Sequence, residues 1–562
     1  MSGTNNNQTS DEQIQALGLT LPSDRSQAIK LITGIYLEQV DPDDWIDPEK
    51  IASDVIQMVK TEFISYNQNA ETGTKWKVPP TLEPEQVAMI MLHVHKIKNI
   101  NYAGLNANQE YDILGIYQEY GKNKGIYVSD KMEIKRLIHR YNNSLDTKGV
   151  KEVIARLQEG AERVTRCDNR DLIAVNNGIF NYKTKMLEPF SPDIIFTAKC
   201  RVDYNPVATN PIIHNDADNS DWDVCSWIES LFNPGSDLPN TIWQMLGAII
   251  RPNVRWNKAA FFYATSGNNG KGSICQLMKN LTGEGTYVTI PLSDFGKEFM
   301  LEPLIRASAI ITDENDVGCY LDKVANLKAV ITNDTISINR KNKTPITYKF
   351  KGFMTQCINE LPRMKDRSNS LYRRILFIPF DKCYTGVEKK YIKEDYLNRR
   401  EVLEYVLYKV LNTNYYTLDE PAESKAELAH YKVLNNPVLS FLEEILTQAD
   451  WDVLSNDLLF DAFKGWTSAN NPNGMVPGKN IFLEEVRNIV GQGMHGWSYY
   501  QDPKNVPQKA YNSGSDPVLQ QYIDDDDWWQ YANKQTIRGL LRDNPIGDPY
   551  PGVSKGIMIV DD

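Results

Sequence analysis

The chemistry this chain can do is concentrated between residues 265 and 374. "TSGNNGKGS" begins at Thr265 and sets Lys271 behind Gly267, Asn269 and Gly270 and ahead of Gly272 and Ser273. A glycine-rich turn with inward N–H groups, followed by a helix whose positive end faces the turn, is what a phosphate group needs, with a lysine to reach its outer oxygens. The stretch departs from G-x-x-x-x-G-K-[ST] twice: Thr265 stands where the first glycine is expected, and Gly272 where a hydroxyl is expected. Lys271 reads as a surface charge on that turn. Further on, the apolar run in "ASAIITDEND" ends in Asp313 and Glu314. Such a pair can organise Mg²⁺ through the aspartate and polarise an attacking water through the glutamate; alone, it also reads as a solvated acidic turn. "FMTQCIN" ends in Asn359, a polar strand tip able to sense a terminal phosphate or simply to form a turn. Arg373 and Arg374 precede the apolar "ILFIPF". An arginine there could complete a neighbouring subunit's site, or form an ordinary surface ion pair.

A second kind of chemistry lies in "ISINRKNKTPITYKFK". Ile336, Ile338, Ile346, Tyr348 and Phe350 alternate with polar residues, as in two strands of a hairpin. Arg340, Lys341, Asn342 and Lys343 form its turn, and Lys349 and Lys351 follow with no carboxylate among them. Cations gathered this way bind phosphate backbones. The competing reading is an edge hairpin whose lysines block aggregation.

These residues need strands that end together and helices that leave from the strand ends. "AAFFYAT" predicts a strand into the lysine loop and "SICQLMKNL" a helix out of it. Alternating β and α elements are expected from about Ala259, and a mostly helical stretch from Phe380 to Tyr431. Upstream, helical periodicity covers 25–65 and 84–98, and "DLIAVNNGIFNYKTKMLEP" predicts a small β meander with a turn at Asn176-Asn177-Gly178. "WDVCSWIESLF" and "NTIWQMLGAII" predict helices. Asn435-Asn436-Pro437 predicts a boundary, followed by three helices around a small apolar core.

The whole chain sets bounds. Its 562 residues exceed one core, and 41% hydrophobic with 24% charged residues is ordinary for a globular protein. No apolar run approaches the roughly 20 residues a membrane helix needs, and residues 1–20 read as a disordered tail, not a secretory signal. Seven scattered cysteines without a C-x-x-C argue against a disulfide framework or zinc ribbon and fit a reducing cytoplasm. His93 and His95 read as ordinary histidines, with no third ligand near them in sequence. The net charge of −12 gives no global attraction to nucleic acid, so a basic surface must act locally.

The order phosphate loop, Asp-Glu strand, basic hairpin, strand-end asparagine and paired arginines resembles the superfamily 3 helicases, AAA+-like ring motors of small DNA viruses, phages and mobile elements. The phage and plasmid branch related to poxvirus primase-helicases often writes its loop N-G-K-G-[ST], as in "NGKGS" here. The resemblance runs from about residue 100 to about residue 500. It implies an α/β multidomain chain: an N-terminal α+β domain (21–215), an AAA+-like P-loop ATPase core with flanking helices (216–430) and a winged-helix-like C-terminal domain (431–562). It also implies ATP and Mg²⁺ as cofactors. Lys271 would bind the β- and γ-phosphates, with Gly267, Asn269, Gly270, Gly272 and Ser273 around them. Ser273 would contact phosphate or join Asp313 on Mg²⁺; Glu314 would activate water and Asn359 act as sensor. Arg374, with Arg373 second, would be the finger, and Arg340, Lys341, Asn342 and Lys343 would grip DNA. The implied activity is an ATP-dependent replicative helicase: a hexameric ring on single-stranded and forked DNA, without its own primase domain, working beside a separate primase in a bacterial host's cytoplasm, with no membrane partner. An ATP-switched origin-binding initiator and a packaging or recombination motor are the competing readings.

Overall fold

The computed structural model describes residues 21–44, 47–71, 73–102, 108, 111–316, 318, 320–341, 343–470, 476–491, 493–500, 516–523 and 538–543. The chain forms two compact units. Residues 1–360 and 378–421 belong to the first; 361–377 and 422–562 belong to the second. The expected division near 215 lies inside the first unit.

The first unit opens with helices α1 (Arg25–Leu37), α2 (Pro48–Asn69) and α3 (Pro84–Val94). Asp24 and Asp47 cap α1 and α2 by accepting from backbone N–H groups that lack a helical partner. Strands β1 (Ile97–Asn101), β2 (Ile113–Tyr117) and β3 (Tyr127–Val128) follow, then α4 (Lys131–Tyr141), α5 (Thr147–Gly160) and β4 (Glu162–Thr165). The sheet order is β3-β2-β1-β4, with β1 antiparallel to β2 and parallel to β4. Ile51, Val55, Val87, Ile90, Ile138 and Val153 fill the core between the helices and this sheet. The helical period read through residue 98 stops at Val94, because Ile97–Asn101 pairs on both edges. His93 Nε2 lies 2.8 Å from the Val40 carbonyl and His95 Nε2 lies 2.8 Å from the Tyr141 hydroxyl, so each ring has its own partner.

The meander is present as β5 (Leu172–Val175), β6 (Gly178–Asn181) and β7 (Met186–Glu188), antiparallel in order. A short ribbon, β8 (Ile213–Asn215) with β9 (Ser220–Trp222), precedes α6 (Val224–Ser230) and α7 (Leu238–Ile249).

The second sheet of this unit is built from distant segments. It contains β10 (Ala259–Tyr263), β11 (Tyr287–Val288), β12 (Ala309–Thr312) and β16 (Phe353–Ile358), in the order β11-β12-β16-β10, and the chain returns to this unit at the end of β18 (Ile375–Pro379). The pairs β11–β12, β12–β16 and β16–β10 are parallel. Every residue of β12 and β16 is buried, as expected of strands covered on both faces. Helix α8 (Lys271–Thr282) leaves β10 and buries Ile274, Cys275, Leu277, Met278 and Leu281. Between β12 and β16 the chain makes β13 (Tyr320–Leu321), α9 (Ala325–Ile331) and a hairpin of β14 (Thr335–Arg340) with β15 (Lys343–Lys349). After β18, α11 (Lys390–Glu394) and α12 (Arg400–Asn412) complete the unit.

The second unit takes β17 (Arg363–Met364) and α10 (Asn369–Tyr372) from the middle of the chain. Its other helices are α13 (Ala422–Asn435), α14 (Pro437–Gln448), α15 (Asn456–Asn470) and α16 (Lys479–Val490). Strands β19 (Val453–Ser455), β20 (Trp497–Tyr500) and β21 (Gly539–Arg542) make an antiparallel sheet ordered β19-β21-β20. Phe441, Phe463, Phe482 and Trp497 centre its core. The three helices expected after Pro437 are α14, α15 and α16. The acidic run Asp524–Asp527 lies outside the described residues, as does most of the segment expected to be inserted before the last strand. No described helix is long and apolar enough to cross a membrane.

Candidate nucleotide site and basic hairpin

Parallel pairing aligns three strand ends. Tyr263 pairs with Ile358 and Thr312 with Gln356, so the chain leaves β10, β12 and β16 on the same carboxyl edge of the sheet. Those exits carry the loop to Lys271, the Asp313-Glu314 pair and Asn359. In parallel α/β sheets this edge is where ligands bind.

Gly270 ends the loop with φ of 93°, a conformation that disfavours any side chain. A Cβ there would also meet Leu231 Cδ2 at 2.7 Å. Asn268 also has positive φ, 51°, and its side chain donates to Glu388 Oε1 at 2.8 Å. The Asn268 carbonyl accepts from the Tyr384 N–H at 2.8 Å, so residues 384–388 brace the loop from outside. The Asn269 side chain spans the turn, donating to the Ser266 carbonyl and accepting from the Lys271 N–H. A Cβ at Gly267 would have nothing within 4 Å, while the Gly267 carbonyl accepts from the Cys383 thiol at 3.6 Å. At Gly272 the nearest heavy atom to such a Cβ is Lys393 Nζ, at 3.5 Å. Ser273 lies half-buried in the first turn of α8.

Lys271 is not the surface charge the sequence suggested. It is buried, and its Nζ donates to Asn359 Oδ1 at 2.7 Å, to the Ile358 carbonyl at 3.2 Å and to the Ala264 carbonyl at 3.4 Å. Burial lowers its pKa. The lysine and the strand-end asparagine, separated in sequence by the hairpin and four further strands, are thus direct partners.

Asp313 is half-buried and ion-paired with Lys279 on α8. Its Oδ1 is buried beside two thiols: Cys275 Sγ lies 3.3 Å from Cys357 Sγ, and all three side chains bring their polar atoms within 4.8 Å of one another. The neighbouring Cys357 thiol, then burial, hold the Cys275 thiol well above its ordinary pKa. Glu314, by contrast, is exposed. Asn315 sets the turn after it, donating to Gln356 Oε1 at 3.0 Å and to the Cys357 carbonyl at 2.9 Å. Lys279, Asn315, Glu388 and the thiol pair escaped the sequence reading. Lys279 stands two helical turns after Lys271 on the same face, the one periodic signal available.

The hairpin is firmly rooted. Ile336 and Ile338 pair with Tyr348 and Ile346, and all four are buried. The Tyr348 hydroxyl donates to the Leu304 carbonyl at 2.8 Å. The register shifts between Ile338 and Arg340, and Arg340 donates to the Thr344 carbonyl at 2.8 Å. Lys341 is exposed at the turn. Asn342 and the Lys343 side chain lie outside the described residues.

The two arginines belong to the second unit. Arg374 folds back on α10 and donates to the Ser370 carbonyl and, at 2.7 Å, to the Ser370 hydroxyl. Arg373, ranked second on sequence, is the exposed one.

Three protein families match parts of the chain. Residues 59–233 match the family described as "D5 N terminal like", and residues 434–527 match "Poxvirus D5 protein-like". Between them, residues 262–374 match a "Family of unknown function (DUF5906)". A protein of Acanthamoeba polyphaga mimivirus, named as a helicase, is 23% identical over 289 residues, which is 49% of this chain and 28% of that protein. The chain therefore spans little more than a quarter of that relative's length. Among solved structures, the apo structure of the NrS-1 C terminal region aligns over 73% of this chain and 86% of its own, at 15% identity and a TM-score of 0.38. An A form of the same region aligns at 16% identity over 74% and 87%, also with a TM-score of 0.38.

Proposed function

Because this chain is D5-like on both sides of its parallel sheet, we propose that it is an ATP-driven DNA helicase of the superfamily 3 type, acting in replication of a phage or other mobile element. The observation that carries the reading is the shared carboxyl edge of β10, β12 and β16, from which the loop to Lys271, the Asp313-Glu314 pair and Asn359 all emerge, with Lys271 bonded to Asn359. The family matches and the helicase-named relative support the direction of the reading.

In this reading the backbone of Gly267–Ser273 cradles phosphate at the positive end of α8. Lys271 exchanges its carbonyl partners for the outer phosphate oxygens, which frees Asn359 to orient toward the terminal phosphate. Glu314, exposed beside the site, accepts a proton from the attacking water. Asp313 and Ser273 offer the hard oxygen ligands that Mg²⁺ takes, and the ion would offset charge on the phosphates. Lys279 would release Asp313 for that purpose. Subunits assemble as a ring, with six the family's usual number, and Arg373 or Arg374 of one subunit completes the site of the next. Lys341 at the hairpin turn, with Arg340, Asn342 and Lys343, contacts single-stranded DNA in the channel. In the second unit, helices α14, α15 and α16 packed with a small antiparallel sheet support a winged-helix role for residues 437–562.

The test is ATP hydrolysis with and without single-stranded DNA, followed by opening of a forked duplex. Stimulated hydrolysis and strand separation, both lost in Lys271→Ala, are the expected results. ATP-dependent assembly without duplex opening would instead identify an initiator, and absence of nucleotide binding would overturn the site.

A further inference from the structure

At the foot of the hairpin, away from its turn, lies a cleft of about 360 Å³ whose cations come from three distant segments. The end of β4 contributes Arg166, the loop after α7 contributes Arg255, and the end of β15 contributes Lys349 and Lys351. One carboxylate, Asp168, joins them. Arg166 is fixed: its guanidinium lies 4.3 Å from the Tyr102 ring centroid and 5.6 Å from that of Tyr348, and it donates to the Lys349 carbonyl at 3.3 Å. Lys351 Nζ donates to the Cys167 carbonyl at 3.3 Å. Arg255 alone is neutralised, by Asp334 at 2.8 Å. Among the described residues, Arg166, Lys349 and Lys351 form no ion pair. Burial first, and Arg166 next, draw the Lys351 ammonium down to about 8. A chain of net charge −12 thus holds three cations without an ion pair in one concave place, faced by the single carboxylate of Asp168.

Cations that outnumber the carboxylates beside them cost free energy when held close together, and a bound anion relieves that cost. A stacked, oriented guanidinium presents a planar fork suited to phosphate oxygens, and lysines supply point charges beside it. We propose that this cleft binds the sugar–phosphate backbone of single-stranded nucleic acid, as a second grip separate from the hairpin turn. The inference rests on the helicase reading, since it continues the path of the strand from the turn down to the hairpin's root. Tyr102 and Tyr348 are covered by Arg166 and buried, so the cleft reads phosphate and not base identity.

The experiment uses the full chain without nucleotide. Arg166→Gln, Lys349→Gln and Lys351→Gln are titrated with a fluorescent single-stranded oligonucleotide at several salt concentrations, beside Lys341→Ala. Each cleft variant is expected to lose about three- to tenfold in affinity at 0.1 M salt and to flatten the salt slope by about 0.7 per lost phosphate contact, with basal ATP hydrolysis unchanged. In the unaltered protein, oligonucleotide is expected to protect Lys349 and Lys351 from acetylation, a readout that needs no variant to fold. Wild-type affinity and slope in all three cleft variants, while Lys341→Ala weakens binding, would overturn the cleft and leave the helicase reading standing. Protection by inorganic phosphate but not by oligonucleotide would also overturn it. No binding of oligonucleotide by the unaltered protein would overturn both.

Discussion

Lys271 bonds to Asn359, and Asp313 pairs with Lys279, through contacts that no sequence spacing reveals. Their residue types were legible from the glycine turn and the apolar runs that end in polar residues. The engagement of Lys271 by Asn359 and of Asp313 by Lys279 was not, because each contact depends on which strand lies beside which. Lys271→Ala is expected to lower ATP turnover at least a hundredfold. It also strips a donor from two backbone carbonyls, so its melting temperature belongs beside the turnover; near-normal turnover would remove the site. For the finger, Arg373→Ala and Arg374→Ala are each mixed with Glu314→Gln. Recovery of hydrolysis in a mixture identifies an arginine acting in trans, because one interface then has one good copy of each group. With Arg374 tied to Ser370, Arg373→Ala is expected to give the larger recovery. Lys199 offers a pH test. Buried and bonded to the Lys124 and Asn176 carbonyls at 2.9 and 3.1 Å, it has a pKa drawn by burial to about 8 from 10.5. Its unfolded form holds the proton longer, so between about pH 8 and 10.5 the unfolded chain binds more protons and folding gains stability as pH rises. Relative to Lys199→Met, the unaltered protein is expected to gain on the order of 3 kcal/mol between pH 7 and pH 10.5 in urea unfolding. A constant difference across that range would refute the assignment.

At the scale of elements, alternation and turn chemistry carried most of the information. The β5–β7 meander, α6, α7, β10, α8 and the hairpin all lie where the sequence placed them, because each has a local signature: a period, a turn pair or an apolar run with glycine beside it. The failure at residues 95–98 is equally physical. Ile97–Asn101 becomes strand because β2 and β4 pair with it, which no local propensity encodes. The hairpin's firm root predicts separable effects. Lys341→Ala is expected to weaken single-stranded DNA binding without changing stability, measured by oligonucleotide titration and thermal unfolding. Tyr348→Phe removes the bond to Leu304 and is expected to cost about 1 kcal/mol. Equal destabilisation by both would mean that the turn, too, is a packing element.

The whole molecule is interleaved, and that limits where it can be cut. Tyr431 donates to the Pro362 carbonyl at 2.7 Å, and the Met364 N–H donates to Asn435 Oδ1 at 2.7 Å, so α13 closes over residues brought from the middle of the chain. A truncation that removes 437–562 keeps α13 and is expected to retain basal ATP hydrolysis and ring formation while loading poorly on duplex DNA. A truncation before residue 422 uncovers Tyr372 and Phe377 and is expected to aggregate. Comparing the two by size-exclusion chromatography and hydrolysis checks this, and a soluble, active protein ending at 421 would contradict it.

The same interleaving bears on how the protein is made. A ribosome releases the chain from its amino terminus, yet the first unit draws on residues 378–421, after part of the second has already emerged. β10 pairs with β16 only when nearly a hundred further residues have been translated. Until then its buried face, Ala259–Phe262, has no partner strand. Folding during synthesis is therefore held back to a late stage, and the nascent protein spends that interval with an apolar strand uncovered, in the form that holding chaperones recognise.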